Sequence, residues 1–240
     1  MLSLFNNRCI TSNSIKRARW NVNAGWADVS EFSAGARRTD TFLIATEGTS
    51  DIHILKHAIS ILRREISDFF KFIDISESHP FSGAGNLARF AEGLAKIDVH
   101  NQVVFLLDND AEGVSIHKRI EELSLPDNMS AITLPNIEAF KEFQTRGPTG
   151  DHVADINGTA AAIECYLDLE YERLPNPVVM WTSFRKDVGS YQGELLNKGK
   201  YAKAFYKRSR DDLENGSYDF GRIARLLHSI YLECCSLKVS

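Results

Sequence analysis

Two short acidic segments carry the residue types most able to do chemistry. One is Glu47-Gly48-Thr49-Ser50-Asp51, and the other is Asp108-Asn109-Asp110-Ala111-Glu112-Gly113. In Asp108 and Asp110 the spacing of two turns both side chains the same way if the backbone is extended. Carboxylates that gather at one place repel each other unless a hard cation neutralises them. Mg²⁺ takes oxygen ligands and is held by one or two carboxylates together with waters and phosphate oxygens. The physical reading is a Mg²⁺ or Mn²⁺ site for chemistry on a phosphodiester. The plainer reading is helix N-capping and solvated loop acids, since Asp is common just before helices. Agreement between two separate segments favours the metal. Asp51 suits either role, because an acid in a first helical turn also complements the macrodipole.

The surrounding pattern places both segments at the ends of strands. Thr41–Thr46 is a short apolar run with β-branched residues, and Gln102–Leu107 is more apolar still. Both read as buried strands. Ser50 is a candidate cap for a helix from Asp51 to about Ile66, with Ile54, Leu55, Ala58, Ile61 and Leu62 on one face. Phe69–Ile75 reads as a second strand, Leu87–Ile97 as a second helix, Ala111–Leu123 as a third helix and Ser130–Leu134 as a fourth strand. Strands alternating with helices imply parallel pairing through crossovers, and continuous apolar strands imply that both sheet faces are covered. Residues 41–135 are therefore expected to form an α/β fold with a doubly wound, Rossmann-like parallel sheet flanked by helices. Ligands in such folds bind beyond the carboxyl ends of the strands.

Asn136–Asn157 is rich in Gly, Pro, Asp and Thr and is long for a connection, which itself suggests function. Gly158–Leu169, Tyr191–Arg210 and Tyr218–Cys235 read as helices, and Val178–Trp181 as a further strand. Residues 1–40 are polar and weakly periodic, and read as an N-terminal arm.

Composition narrows the function classes. The 240 residues are 43% hydrophobic and 25% charged, enough to bury a sizeable core without a disulfide or metal. Lys+Arg 28 against Asp+Glu 32 gives a net charge of -4, which excludes a protein held on nucleic acid by bulk charge alone. It leaves room for a local basic patch. The cysteines Cys9, Cys165, Cys234 and Cys235 form no CxxC pair, so a reduced, cytoplasmic protein without a zinc cage is expected. No run approaches 18 apolar residues, so no membrane association is expected. Gly83-Ala84-Gly85-Asn86 lacks a following Gly-Lys-Ser/Thr, and no P-loop occurs elsewhere. The bland reading of that turn, a tight strand–helix connection, is preferred. His53 and His57 lie four apart on a helix and read as helix-surface or sheet-facing residues, not zinc ligands.

Glu-Gly-x-x-Asp after a first strand, with Asp-x-Asp after a later one, resembles the Toprim domain of topoisomerases, bacterial primases, recombination proteins, small ribosomal-RNA maturases and OLD-family nucleases. The resemblance implies that Glu47 is the catalytic acid or base, or a first metal ligand, and that Asp108 and Asp110 bind Mg²⁺. Asp51 matches the Asp of the first motif, as ligand or as cap. Gly147-Pro148-Thr149-Gly150, Asp155-Ile156-Asn157-Gly158, Ile163-Glu164-Cys165-Tyr166-Leu167, Trp181-Thr182 and Tyr191-Gln192-Gly193-Glu194 look like the carboxyl half of HEPN/Toprim-associated proteins. This chain departs from them in the space ahead of its first strand, too short for a full HEPN region. By resemblance to OLD-type nucleases, Glu164, with or without Asp155, holds a second ion, and Lys198 sits near the scissile phosphate. Asp155 is equally readable as a turn residue, and Glu164 as an exposed helix position. The resemblance covers roughly residues 40–205. It divides the chain into the arm 1–40, a Toprim domain over 41–170 and a mostly helical C-terminal extension over 171–240 packed on it.

Lys198–Arg210 holds six basic residues and no acid, with Tyr201, Phe205 and Tyr206 interleaved. It either tracks a nucleic-acid backbone through Lys200, Lys203, Lys207 and Arg208 while stacking bases, or is a solvated helix face with its aromatics in the core. Arg37 and Arg38 are the other candidate source of positive field. The expected function is a Mg²⁺- or Mn²⁺-dependent nuclease on DNA or RNA. By resemblance, its setting is bacterial anti-phage defence or a toxin-like activity, with a homo-oligomer or a defence-system protein as a possible partner. The alternative is a catalytically silent Toprim module that binds nucleic acid or a protein and regulates it. An RNA-maturation role would differ only in substrate.

Overall fold

A computed structural model describes residues 41–73, 84–97, 99–171 and 173–237. The arm 1–40, with Arg37 and Arg38, lies outside the described residues, as do Asp74, Ile75 and Gly83.

The strands β1 (Phe42–Thr46), β2 (Phe70–Ile73), β3 (Gln102–Leu107) and β5 (Met129–Thr133) form one parallel sheet in the order β2-β1-β3-β5. Three helices make the crossovers: α1 (Thr49–Leu62), α2 (Ala84–Ala95) and α3 (Ala111–Glu121). Every residue of β3 is buried. Its alternation divides it between two cores, as a period of two requires. Val104 and Leu106 pack with Ile44, with Ile54, Leu55, Ala58 and Ile61 of α1, and with the C-terminal helix α6 (Gly221–Ser236). Val103, Phe105 and Leu107 pack with Ala45, with Leu87, Ala88 and Ala91 of α2, and with Ile116 and Ile120 of α3. Covering both faces is why β3 reads as an unbroken apolar run. Each such side chain stabilises the fold by about 1.5–3 kcal/mol, so the loop leaving β3 starts from a rigid base.

A second sheet follows, in the order β10-β9-β6-β7. It comprises β6 (Phe143–Gly147), β7 (Gly150–Ala154), β9 (Val179–Arg185) and β10 (Ser190–Leu195). The pairs β6–β7 and β9–β10 are antiparallel, and β6–β9 is parallel. A two-residue pair links β4 (Asn109–Asp110) to β8 (Ala160–Ala161). Two short helices, α4 (Lys198–Phe205) and α5 (Arg210–Asn215), precede α6. The chain is thus an α/β fold with a four-stranded parallel sheet flanked by helices and a helical C-terminus. Because β9 pairs with β6, residues on either side of position 170 share one sheet.

Three expectations change. Gly158–Leu169 is not an α-helix but β8 followed by a 3₁₀ turn over Ile163–Tyr166. Pairing of Ala160 and Ala161 with the acidic loop claims backbone groups that a helix would need. Tyr191–Arg210 is not one helix either: Tyr191–Leu195 lies in β10, and only Lys198–Phe205 is helical before the turn at Tyr206. Asn197, in left-handed conformation (φ 59°), makes the turn between them. The long segment after β5 is also structured, since it forms the β6–β7 hairpin.

Candidate active site

The order β2-β1-β3-β5 places β1 and β3 side by side, with their crossovers departing in opposite directions. Ligands in doubly wound sheets bind beyond such a switch point. Thr46 is in register with Leu106, so Glu47 and Asp108 leave adjacent strand ends. The backbone N–H of Asp108 donates to Oε1 of Glu47 at 3.1 Å. The Glu47 carboxylate is thereby turned across the strand ends toward the second acidic segment.

Asp110 is the N-cap of α3, its Oδ1 accepting from the Gly113 N–H at 2.7 Å. Its Oδ2 accepts from Nε2 of Gln192 on β10. The carbonyl Oε1 of the same Gln192 accepts from the Glu112 N–H at 2.9 Å. One amide side chain therefore pins the start of α3 to the second sheet. Gly113 is required by close approach: a Cβ built there would stand 2.1 Å from the Asp108 carbonyl oxygen.

The third strand of the site comes from sequence far downstream. Pairing of β4 with β8 lays residues 160–163 along the acidic loop, and the Ile163 N–H donates to Asp108 Oδ1 at 3.1 Å. Glu164 follows at the first turn of the 3₁₀ segment and is 7% exposed. Its Oε1 accepts from the Ser50 hydroxyl at 3.0 Å. Ser50 is thus not the helix cap that the sequence suggests; Gly48 occupies that position, and Ser50 lies inside the first turn of α1. Asp51 reaches back to accept from the Gly48 N–H at 3.0 Å. Around this loop the side chains of Asn109 and Asn136 join at 2.8 Å, and Asn109 Oδ1 accepts from the Gly158 N–H at 2.8 Å.

Burial and mutual repulsion shift three of these acids. Desolvation, then the charge of Asp110, raises the Glu47 carboxyl from 4.5 to about 8, with Asp51 and Glu112 adding to it. Asp51 rises from 3.8 to about 7, chiefly by desolvation, with the Gly48 hydrogen bond opposing and Glu164 adding. Asp108 is raised well above 3.8 by desolvation and then by Asp51, Glu47, Asp110 and Glu164. Charged carboxylates are thus disfavoured here without a counter-cation.

These residues suit a hard divalent ion in donor chemistry, being carboxylate oxygens in excess charge. Second oxygens of Glu47, Asp51, Asp108 and Glu164 have no hydrogen-bond partner among the described residues. Both oxygens of Asp110 are engaged. Among the described residues no three His, Cys, Asp or Glu side chains stand at the spacing of a closed ligand set.

Asp155 is not brought to the cluster. It is exposed, and its Oδ1 accepts from the backbone and side-chain N–H groups of Asn157 at 2.8 and 2.7 Å, a turn role. Lys198 lies at the rim, its Nζ 2.7 Å from Glu194 Oε1. That bond, with the charges of Glu194, Glu164 and Asp108, raises its pKa. Lys200, Lys203 and Lys207 are exposed, whereas Tyr201 and Phe205 are fully buried and Tyr206 remains partly exposed. Arg208 is a structural residue: it stacks on Tyr171, donates to the Tyr171 hydroxyl at 2.7 Å and pairs with Asp212 at 3.2 Å. His57 Nε2 lies 3.1 Å from the carbonyls of Phe205 and Arg208, joining α1 to the end of α4. Sequence reasoning gave no role to Gln192, to Ser50 as a partner of Glu164, or to Glu194. Only the i,i+4 spacing of Glu194 and Lys198 was a readable signal.

Comparison with protein-family models, characterised proteins and solved structures finds no match.

Proposed function

We propose that this protein is a Toprim-type, Mg²⁺- or Mn²⁺-dependent nuclease that hydrolyses phosphodiester bonds of DNA or RNA. The observation that supports it most is the gathering of Glu47, Asp51, Asp108, Asp110 and Glu164 at the β1/β3 switch point, three of them with raised pKa values. Burial of Glu47, Asp51 and Asp108 costs the fold desolvation energy that a bound cation would offset. Glu47, Asp108 and Glu164, with Asp51 beside them, are the residues that would hold divalent ions. A bound ion there would supply charge neutralisation at a phosphodiester and a lowered pKa for water.

Glu47 is the candidate to accept a proton from the attacking water, an assignment that comes from the sequence resemblance. Lys198, paired with Glu194, is the candidate cation for a phosphate oxygen, an assignment that comes from the sequence resemblance. A setting in bacterial defence or as a toxin-like effector rests on the sequence resemblance alone.

The engagement of both Asp110 oxygens favours a second reading, a catalytically silent module that binds and regulates. Incubation of the purified protein with DNA and RNA substrates in Mg²⁺ or Mn²⁺ separates the two. Cleavage lost in Glu47→Ala and Asp108→Ala supports the nuclease. No cleavage with any metal, with nucleic-acid binding retained in Glu47→Ala, supports the silent module.

A further inference from the structure

Helices α1 and α4 leave the carboxylate cluster side by side. At their starts, Ser50 of α1 bonds Glu164 at 3.0 Å, and the charge of Lys198 on α4 acts on Asp51. Two turns on, His57 Nε2 lies 3.1 Å from the Phe205 carbonyl, and the His57 and Tyr206 rings meet edge-on with centroids 5.8 Å apart. Residues three, four and seven apart share one side of a helix. Ser50, His53 and His57 therefore run down one side of α1, and Lys198, Ala202 and Tyr206 down one side of α4. Both ends of each row are held, so His53 lies between Glu164 and Tyr206.

His53 is exposed, and Tyr206 is 39% exposed. Neither the imidazole nor the phenol has a hydrogen-bond partner among the described residues. Ala202, halfway along its row, adds only a methyl group between the helices. Burial, then the charges of Glu164 and Asp51, holds the Tyr206 phenol above its ordinary 10, so it donates rather than ionises near neutrality. Lys203, one turn before Tyr206, is exposed and has no carboxylate partner among the described residues. The two rows carry no acid. They offer N–H and O–H donors beside a free ammonium, the reverse of the cluster they adjoin. Charge-assisted donors of this kind suit an anion with several oxygens.

We infer that the strip between α1 and α4 is a phosphate subsite, in which His53, Lys203 and Tyr206 hold a backbone phosphate of the nucleic acid next to the one at the carboxylates. The inference rests on the proposed nuclease reading for its occupant. It adds that the substrate carries a phosphate beyond the scissile bond, and that Tyr206 and His53 touch it.

Binding of fluorescein-labelled DNA and RNA oligonucleotides, single- and double-stranded, is read by anisotropy in EDTA, so that no metal-dependent cleavage intervenes. Tyr206→Phe keeps the ring against His57 and removes the donor alone. Tyr206→Phe and His53→Ala are each expected to bind the preferred nucleic acid about tenfold more weakly than the parent, with unchanged melting temperatures. Lys203→Gln is expected to lower the slope of log Kd against log salt by about 1. Lys118→Gln, on α3 over the other face of the sheet, is expected to leave that slope unchanged. Parental binding by either Tyr206→Phe or His53→Ala, an unchanged slope in Lys203→Gln, or no nucleic-acid binding by the parent overturns the subsite. The expected binding losses, with no cleavage by the parent in Mg²⁺ or Mn²⁺, leave the subsite and remove the nuclease. Cleavage by the parent, with binding and rate unaltered in Tyr206→Phe and His53→Ala, does the reverse.

Discussion

The Asp108 N–H donates to Oε1 of Glu47 across 61 positions of sequence, joining the ends of two neighbouring parallel strands at 3.1 Å. A backbone donor fixes the carboxylate without neutralising it. Glu47→Gln keeps a carbonyl oxygen that can accept the same bond. The expected outcome is a fold at least as stable as the parent, with cleavage reduced by roughly 100-fold or more. Circular dichroism melting and initial cleavage rates on one preparation check both halves.

Proton linkage gives a second expectation. Glu47 rises from 4.5 to about 8 and Asp51 from 3.8 to about 7 on folding. A carboxyl group with a raised folded pKa stabilises the fold while protonated. That contribution is full below about pH 4 and is lost as pH climbs through the folded values, up to about 8. The metal-free protein is therefore expected to melt at least ~5 °C lower at pH 8.5 than at pH 5. Mg²⁺ should recover most of the difference at pH 8.5 and little at pH 5. A melting temperature that does not fall between these pH values removes the electrostatic argument.

Gly113 is expected to tolerate no side chain. Gly113→Ala would drive a methyl group into the Asp108 carbonyl, since the built Cβ stands at 2.1 Å. Relief requires α3 to move from the sheet, at a cost of about 1–3 kcal/mol or more. Urea denaturation reads the loss, and a variant as stable as the parent would show that the approach is not rigid.

Gln192→Ala removes the side chain that bonds Asp110 and the Glu112 amide. The expected loss is about 1–3 kcal/mol, with faster limited proteolysis in the β9–β10 hairpin. If the hairpin is cleaved no faster than in the parent, Gln192 does not tie it to the acidic loop.

Much of the parallel sheet was legible in the sequence because local pattern and burial agree there. Gln102–Leu107 is apolar on both faces, and Ile54, Leu55, Ala58, Ile61 and Leu62 mark the buried face of α1. Positions beyond Leu134 were harder. Tyr191–Leu195 sits next to helix-forming residues, and its strand character comes from pairing with β9, a tertiary effect that sequence periodicity does not carry. Glu164 was readable as an acid of interest, but its place beside Asp108 depends on the two-residue β4–β8 pair. Asp155 shows the opposite case: a plausible ligand in sequence, its oxygen serves the Asn157 turn.

Cleavage of DNA and RNA by the purified protein, with and without Mg²⁺ or Mn²⁺, is the most direct measurement. Chelator-sensitive hydrolysis that disappears in both Glu47→Ala and Asp108→Ala, each still folded, is the predicted result. Hydrolysis that persists undiminished in either folded variant would contradict the assignment of chemistry to this cluster.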